Sequence, residues 1–369
     1  MDKFNRNDMI YYSITDRYSK VDIKKDHIPL NAKSNTFDEK AIQRINTIAS
    51  ELIEAKKNKA SAILAFGAHT IKNGLSLVIG NLIKKGYITH LATNGAGVIH
   101  DWEFAYLGKS SEDVEVNVKE GKFGTWSETG FYINLALAVG AYRGVGYASS
   151  VTQLINDNGL TIPTSEELTS IISKSLCANT IAAAANLRAL ISEYNIKSGF
   201  MEVLHPYREY SLLYIAGKAN CKFTCHPMYG HDIIYTHKVN RGISIGVSAE
   251  RDFLSYVDSV YNLEKGVYLS LGSAVMSPMI FEKSLSMSRN VLLQKDKDIR
   301  NCNIHVVDLA KDSWDWSKGE PPQDNAAYYH RYMKTFSRMG CSVDYQSIDN
   351  RDFLILLNNA LNNKETSYY

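Results

Sequence analysis

The four residues Asn94-Gly95-Ala96-Gly97 are the first place where this chain offers chemistry. They stand inside the run Tyr87–Asp101, YITHLATNGAGVIHD, where an apolar strand (Ile88, Leu91, Ala92) feeds a small-residue turn that opens a helix. Small residues let a ligand come close to the backbone, and the N–H groups at a helix start, from Gly97 onward, suit an anion such as a phosphate. A second turn of this type, Gly272-Ser273-Ala274, follows the apolar run Val267–Leu271. In parallel sheets ligands sit beyond the carboxyl ends of the strands, so two such turns can face one dinucleotide. Cys221, Cys225, His226, His231 and His237 offer zinc-type ligands, but their spacings match no familiar zinc motif, and no metal is assigned to them. Glu128 stands at the start of another helix, where the helix dipole favours a carboxylate as a cap.

These turns need a scaffold, and the hydrophobic pattern supplies one. Apolar runs recur at Ala62–Phe66, Ile88–Thr93, Phe223–Cys225, Val267–Leu271, Ile304–Leu309 and Val343–Ile348. They alternate with helical patterns at Ile71–Lys85, Ser165–Tyr194, Ala249–Leu263, Met279–Arg289, Asn325–Met339 and Arg351–Leu361. Alternation of this kind predicts an α/β fold, a mainly parallel sheet with helices on both faces. Residues 1–36 are polar and weakly periodic and read as an arm of the kind that wraps a partner subunit, while 37–369 read as a single domain.

Composition narrows the class. A 369-residue chain that is 45% hydrophobic and 22% charged buries a large core. Its net charge of +2 provides no basic field for nucleic acid or an acidic membrane. Five cysteines, an odd and sparse set, read as reduced thiols of a cytoplasmic protein. The polar start Met1-Asp2-Lys3 has no signal-peptide core, and no run approaches the roughly 18 apolar residues of a membrane span.

The segment Gly67–Asp101, in which strand, helix, strand, small-residue turn and helix follow with little slack, resembles deoxyhypusine synthase, and the likeness extends from about Ala60 to about Leu361. It implies a Rossmann-like doubly wound sheet that holds NAD, and a homo-oligomer (dimer or tetramer) with sites built between subunits. The family's Thr-Ala-Gly-Gly motif falls on Asn94, Gly95, Ala96 and Gly97, and two acids that follow it fall on His100 and Asp101. Gly272, Ser273 and Ala274 match its second cofactor turn, and Asp308, Leu309 and Ala310 its grip on the adenosine end. Asp232 falls on the carboxylate that holds a cationic amine, and His237 matches in register.

The resemblance also shows departures. Pro278 stands where the family has a polyamine-binding histidine. The family's acid, tryptophan and imine-forming lysine fall on Asp324, Tyr329 and Arg331, with His330 just before the lysine position and Lys334 three residues beyond it. Neither imidazole nor guanidinium forms a Schiff base. The implied activity is therefore NAD-dependent oxidation of a polyamine or related small amine to an imine, with aminobutyl-type transfer to something other than the translation factor precursor. In it Asp324 and His330 handle protons, and Asp232, His237 and Tyr329 bind the amine. A nucleotide-binding or regulatory protein without catalysis is the alternative.

Overall fold

A computed structural model describes residues 4–35, 38–312 and 314–366, so the Met1-Asp2-Lys3 start lies outside the described residues. Six strands form one parallel sheet: β1 Ala62–Phe66, β2 His90–Thr93, β3 Lys222–Cys225, β4 Val267–Leu271, β5 Asn303–Asp308 and β6 Ser342–Ser347. Their order across the sheet is β6-β5-β4-β1-β2-β3, and each neighbouring pair is parallel. Every residue of β1 and β4 is buried. Because successive side chains point to opposite faces, both faces of the sheet centre are covered, which is why these strands read as unbroken apolar runs. The helix Glu39–Lys57 starts at Asp38, whose carboxylate accepts from the Lys40 N–H, and buries Ile45, Ile48, Ala49, Leu52 and Ala55 at helical spacing. The architecture is the Rossmann-like doubly wound one, with the strand order reversing between β1 and β4.

Cys302 and Cys341, which precede β5 and β6, are joined in a disulfide with Cα atoms 5.2 Å apart. This corrects the expectation of five reduced thiols; Cys177, Cys221 and Cys225 take no part in a disulfide. Two cysteines at equivalent ends of neighbouring parallel strands meet in space although 39 residues separate them in sequence.

Where the sequence reads as an arm followed by one domain, the packing forms two compact units. One contains the sheet and comprises His27–Asn94, Lys218–His226 and the chain from Phe253 onward. The other runs from the first described residues to Asp26 and takes in Gly95–Gly217 and Pro227–Asp252. It is mostly helical, with two small antiparallel pairs, Ser19–Asp22 with Lys109–Glu112 and Gly159–Ile162 with Gly199–Glu202. The start of the chain packs within this second unit: Ile14 and Ile23 are buried, and Arg17 forms a two-pronged ion pair with buried Glu103 at 2.8 Å. Among the described residues no helix is long and apolar enough to cross a membrane.

Candidate functional site

The reversal of strand order leaves a crevice beyond the carboxyl ends of β1 and β4, and two glycines meet there. A Cβ on Gly67 would stand 2.2 Å from the carbonyl oxygen of Gly272, so neither a side chain nor a wider loop fits. Gly272 has φ +54°, in the left-handed region that favours glycine. The Gly67 N–H donates to the Leu271 carbonyl (3.1 Å) and the Gly272 N–H to that of Val307 (2.9 Å). The helix Met276–Leu293 starts just beyond, and the Ser273 hydroxyl accepts from the Ser277 N–H at 3.2 Å.

Beside this crossing lies a pocket of about 230 Å³ lined by Gly272, Asp308 and Asp349, with His69, Asn73 and Asn350 completing its polar wall. Asp308 accepts from the N–H groups of Leu309 (2.7 Å) and Ala310 (3.3 Å) through one carboxylate oxygen; the other has no hydrogen bond among the described residues. Asn350 links the segments after β1 and β6, accepting from the Asn73 amide at 2.9 Å and donating to the Thr70 hydroxyl at 3.4 Å. Asp308 and Ala310 stand in or beside this pocket, whereas His69, Asn73, Asp349 and Asn350 escaped the sequence reading. Asp349 carries the same signal that marked Asp308, an acid just past an apolar strand.

In the other unit, the helix Gly95–Leu107 begins against a carboxylate of this chain. Asp232 is 7% exposed, and a Cβ on Gly95 would stand 2.1 Å from its Oδ2. Burial pushes the Asp232 carboxyl up to about 6, against the lowering influence of Tyr235, His231 and a hydrogen bond from the Ala96 N–H. The sequence assigned these residues to different ligands, with Gly95 and Ala96 for cofactor and Asp232 for amine; the fold joins them to each other. Gly97 is likewise buried, inside the first turn of the same helix. Asn94 is half-buried at the end of β2.

Two further glycines receive side chains from the residues that follow Asp232: Gly124 lies against Ile233, and Gly130 against the ring of His237. His237 is 2% exposed, its Nδ1 accepts from the Val239 N–H (3.4 Å), and burial pushes it down to about 4. Asp101 accepts from the Ser211 hydroxyl (2.5 Å) and the N–H groups of Leu212 (2.7 Å) and Leu213 (3.0 Å), so it caps the helix Leu212–Lys218. Burial raises it to about 6 despite those bonds.

The segment after β5 places the residues expected to handle protons. Asp324 and Tyr329 are exposed. His330 binds a carboxylate, but that of Asp312 rather than Asp324: Nδ1 and Oδ2 are 2.9 Å apart. Lys334 is held 2.8 Å from Glu320 and lies over the Tyr328 ring, and its hydrogen bond to Glu320 raises it above the usual lysine range. A protonated, ion-paired lysine is not an imine-forming amine, and Arg331 is none either.

The cysteine and histidine residues of Cys221–His237 do not converge. His226 shares a buried chain of hydrogen bonds, its Nε2 2.9 Å from the Thr224 hydroxyl, which lies 2.9 Å from His90 Nε2; His90 Nδ1 is 2.7 Å from Ser259. Among the described residues no three His, Cys, Asp or Glu side chains are placed to hold a metal ion.

No family model matches the sequence, and no curated protein matches it. Among solved structures the chain is similar to the ternary complex of AgrE with ornithine and NAD+, at 15% identity and a TM-score of 0.45, covering 90% of this chain and 34% of that one. It is similar to apo ArgZ, an arginine dihydrolase from the ornithine-ammonia cycle in Cyanobacteria, at 13% identity and a TM-score of 0.43, over 87% of this chain and 33% of that one. A conserved LOR/SDH protein from Methanococcus maripaludis S2 aligns at 16% identity and a TM-score of 0.43, over 91% of this chain and 71% of that one. The chain thus spans about a third of the length of AgrE and ArgZ. These similarities are to AgrE, ArgZ and LOR/SDH proteins and not to deoxyhypusine synthase, which overturns the resemblance read from the sequence; at this level they assign no activity.

Proposed function

We propose that this chain binds NAD(H) along the carboxyl edge of its sheet and oxidises a small amine or amino acid. The observation that carries the reading is the Gly67–Gly272 crossing at the reversal of strand order, flanked by the pocket that contains Asp308 and Asp349. The crossing packs two backbone segments together, while Gly272 itself, at φ +54°, faces open space in which a Cβ would meet nothing within 4 Å, so a pyrophosphate can approach its backbone, and a carboxylate at a strand end accepts hydrogen bonds from ribose hydroxyls. Gly272, Ser273, Ala274, Asp308 and Asp349 would hold the cofactor, which supplies a hydride acceptor when bound. Two carboxylates at the ribose also oppose the extra phosphate of NADP, so NAD is the preferred form. The amine half of the reading rests on Asp232, whose buried Oδ2 has no hydrogen-bond partner among the described residues and would attract an ammonium group.

The test is titration calorimetry with NADH and NADPH, followed by NADH formation from NAD+ with ornithine, arginine, lysine and a polyamine. NADH affinity well above that for NADPH, with turnover of at least one amine, is the expected result. Lack of NADH affinity would overturn the cofactor, and binding without turnover of any amine would leave a nucleotide-binding protein.

A further inference from the structure

The helix Met276–Leu293 carries apolar side chains on two sides. One side turns Phe281, Leu285 and Leu292 into the core of the sheet-containing unit, with Ser284 and Ser288 buried beside them. The other side, which begins at the N-cap residue Val275, carries Val275, Met279, Met287 and Val291, and these are between 40% and 56% exposed. At 3.6 residues per turn the two sets centre on opposite sides of the helix, so the second stripe is left to solvent. Another run of exposed apolar residues, Val114, Val116 and Val118, is arranged differently: it sits on the short helix Val114–Lys119 at a spacing of two, which points neighbouring side chains apart.

The exposed stripe reads the same in both directions. Val275, Met279, Lys283, Met287 and Val291 follow at intervals of four, an order of Val-Met-Lys-Met-Val about Lys283. Intervals of four make one ridge on a helix surface, and such ridges interlock when two helices cross at about 50°. In an isologous contact residue i meets residue j and j meets i, which demands a surface that is its own complement. Antiparallel copies of this helix, related by a twofold axis at Lys283, set Val275 against Val291 and Met279 against Met287. Methionine, unbranched and polarisable, packs adaptably in such a seam. The charges at the centre agree: Lys283 is paired with Glu282 of its own chain, both partly exposed, so two copies bring two lysines and two glutamates together with alternating sign.

We propose that this chain pairs with a second copy of itself through the exposed stripe of the helix Met276–Leu293, as antiparallel helices about a twofold axis at Lys283. The inference is independent of the dinucleotide reading. A contact made by one helix from each copy falls below the ~1,200–2,000 Å² of stable complexes, so the dimer forms reversibly and with concentration.

The test is sedimentation equilibrium of the full-length protein over a range of concentrations, in which the parent should pass from monomer to dimer. Lys283→Glu places four carboxylates at the axis and should weaken the dimer by about 10-fold or more, while circular dichroism and the unfolding midpoint of the monomer stay those of the parent. Combining Glu282→Lys with Lys283→Glu restores the alternation and should recover the dimer, which a damaged surface would not do. Cross-linking reads the orientation. Under mild oxidation Lys283→Cys should form a disulfide between copies at position 283, identified by mass spectrometry, and a mixture of Val275→Cys and Val291→Cys should couple. Val275→Cys alone should not couple to itself, because its counterpart lies ~24 Å away along the axis and a disulfide needs Cα atoms within about 7 Å. A chain that stays monomeric up to its solubility limit, a dimer that Lys283→Glu leaves intact or the double change fails to recover, no link at position 283, or coupling of Val275→Cys to itself would overturn the proposal.

Discussion

Asp232 closes over Gly95 so tightly that a single methyl group at position 95 would stand 2.1 Å from its Oδ2. The positive end of the helix Gly95–Leu107 is therefore met by a carboxylate of the same chain, hydrogen-bonded to the Ala96 N–H. Gly95→Ala is an overpacking substitution, expected to cost about 1–3 kcal/mol of stability in urea unfolding. Combining it with Asp232→Ala, which removes the clashing carboxylate, should cost less than the sum of the two changes, because neighbours in contact couple. Strict additivity would show that the two residues do not touch.

The same carboxylate makes a prediction about pH. Asp232 is raised from 3.8 to about 6 by burial, so the folded chain holds its proton more tightly than the unfolded chain does. Across that window the unfolded chain releases the proton first, and stability falls as pH rises. Asp101, raised in the same direction, adds to the fall. Asp232→Asn should remove its share, ~3 kcal/mol at most, so the variant gains on the parent as pH rises towards neutrality. A stability difference that stays constant across the window would contradict this account.

At the pocket, Asp308→Ala and Asp349→Ala are each expected to weaken NADH binding by about 1.5–3 kcal/mol, the range for a hydrogen bond to a charged group, while leaving the fold intact. Each should also narrow the preference for NADH over NADPH. Calorimetry on the two variants decides it, and unchanged affinity in both would remove the carboxylates from the site.

The Cys302–Cys341 bridge closes a loop spanning a sequence separation of 39 residues. Chain entropy assigns such a cross-link about 4 kcal/mol, so Cys341→Ser should lower the unfolding midpoint markedly. A midpoint equal to that of the parent under oxidising conditions would show that the bridge adds nothing.

Much of the sheet was legible in the sequence, and the reason is burial. β1 and β4 match the apolar runs Ala62–Phe66 and Val267–Leu271 residue for residue, because both faces of the central strands are covered. Helix boundaries were less legible. Ile71–Lys85 reads as one helix but divides into Ala68–Lys72 and Ser76–Lys84 at Gly74, whose φ of +72° ends the first helix. Ser165–Tyr194 divides at Ser175 without a glycine or proline to announce it. The closure of Asp232 on Gly95 was invisible because residues distant in sequence meet only through the fold. Asp312 was passed over for a similar reason: nothing in DSWDW distinguishes a buried, three-fold hydrogen-bonded acid from its exposed neighbour Asp315.

The disulfide fastens the amino-terminal ends of β5 and β6, whereas Asp308 and Asp349 emerge at the opposite ends of those strands. Durability and recognition are thereby assigned to opposite rims of one sheet. Thiol reductants should soften the lower rim and lower thermal tolerance while leaving ligand affinity untouched, so changes in redox surroundings would govern how long the molecule lasts rather than what it binds.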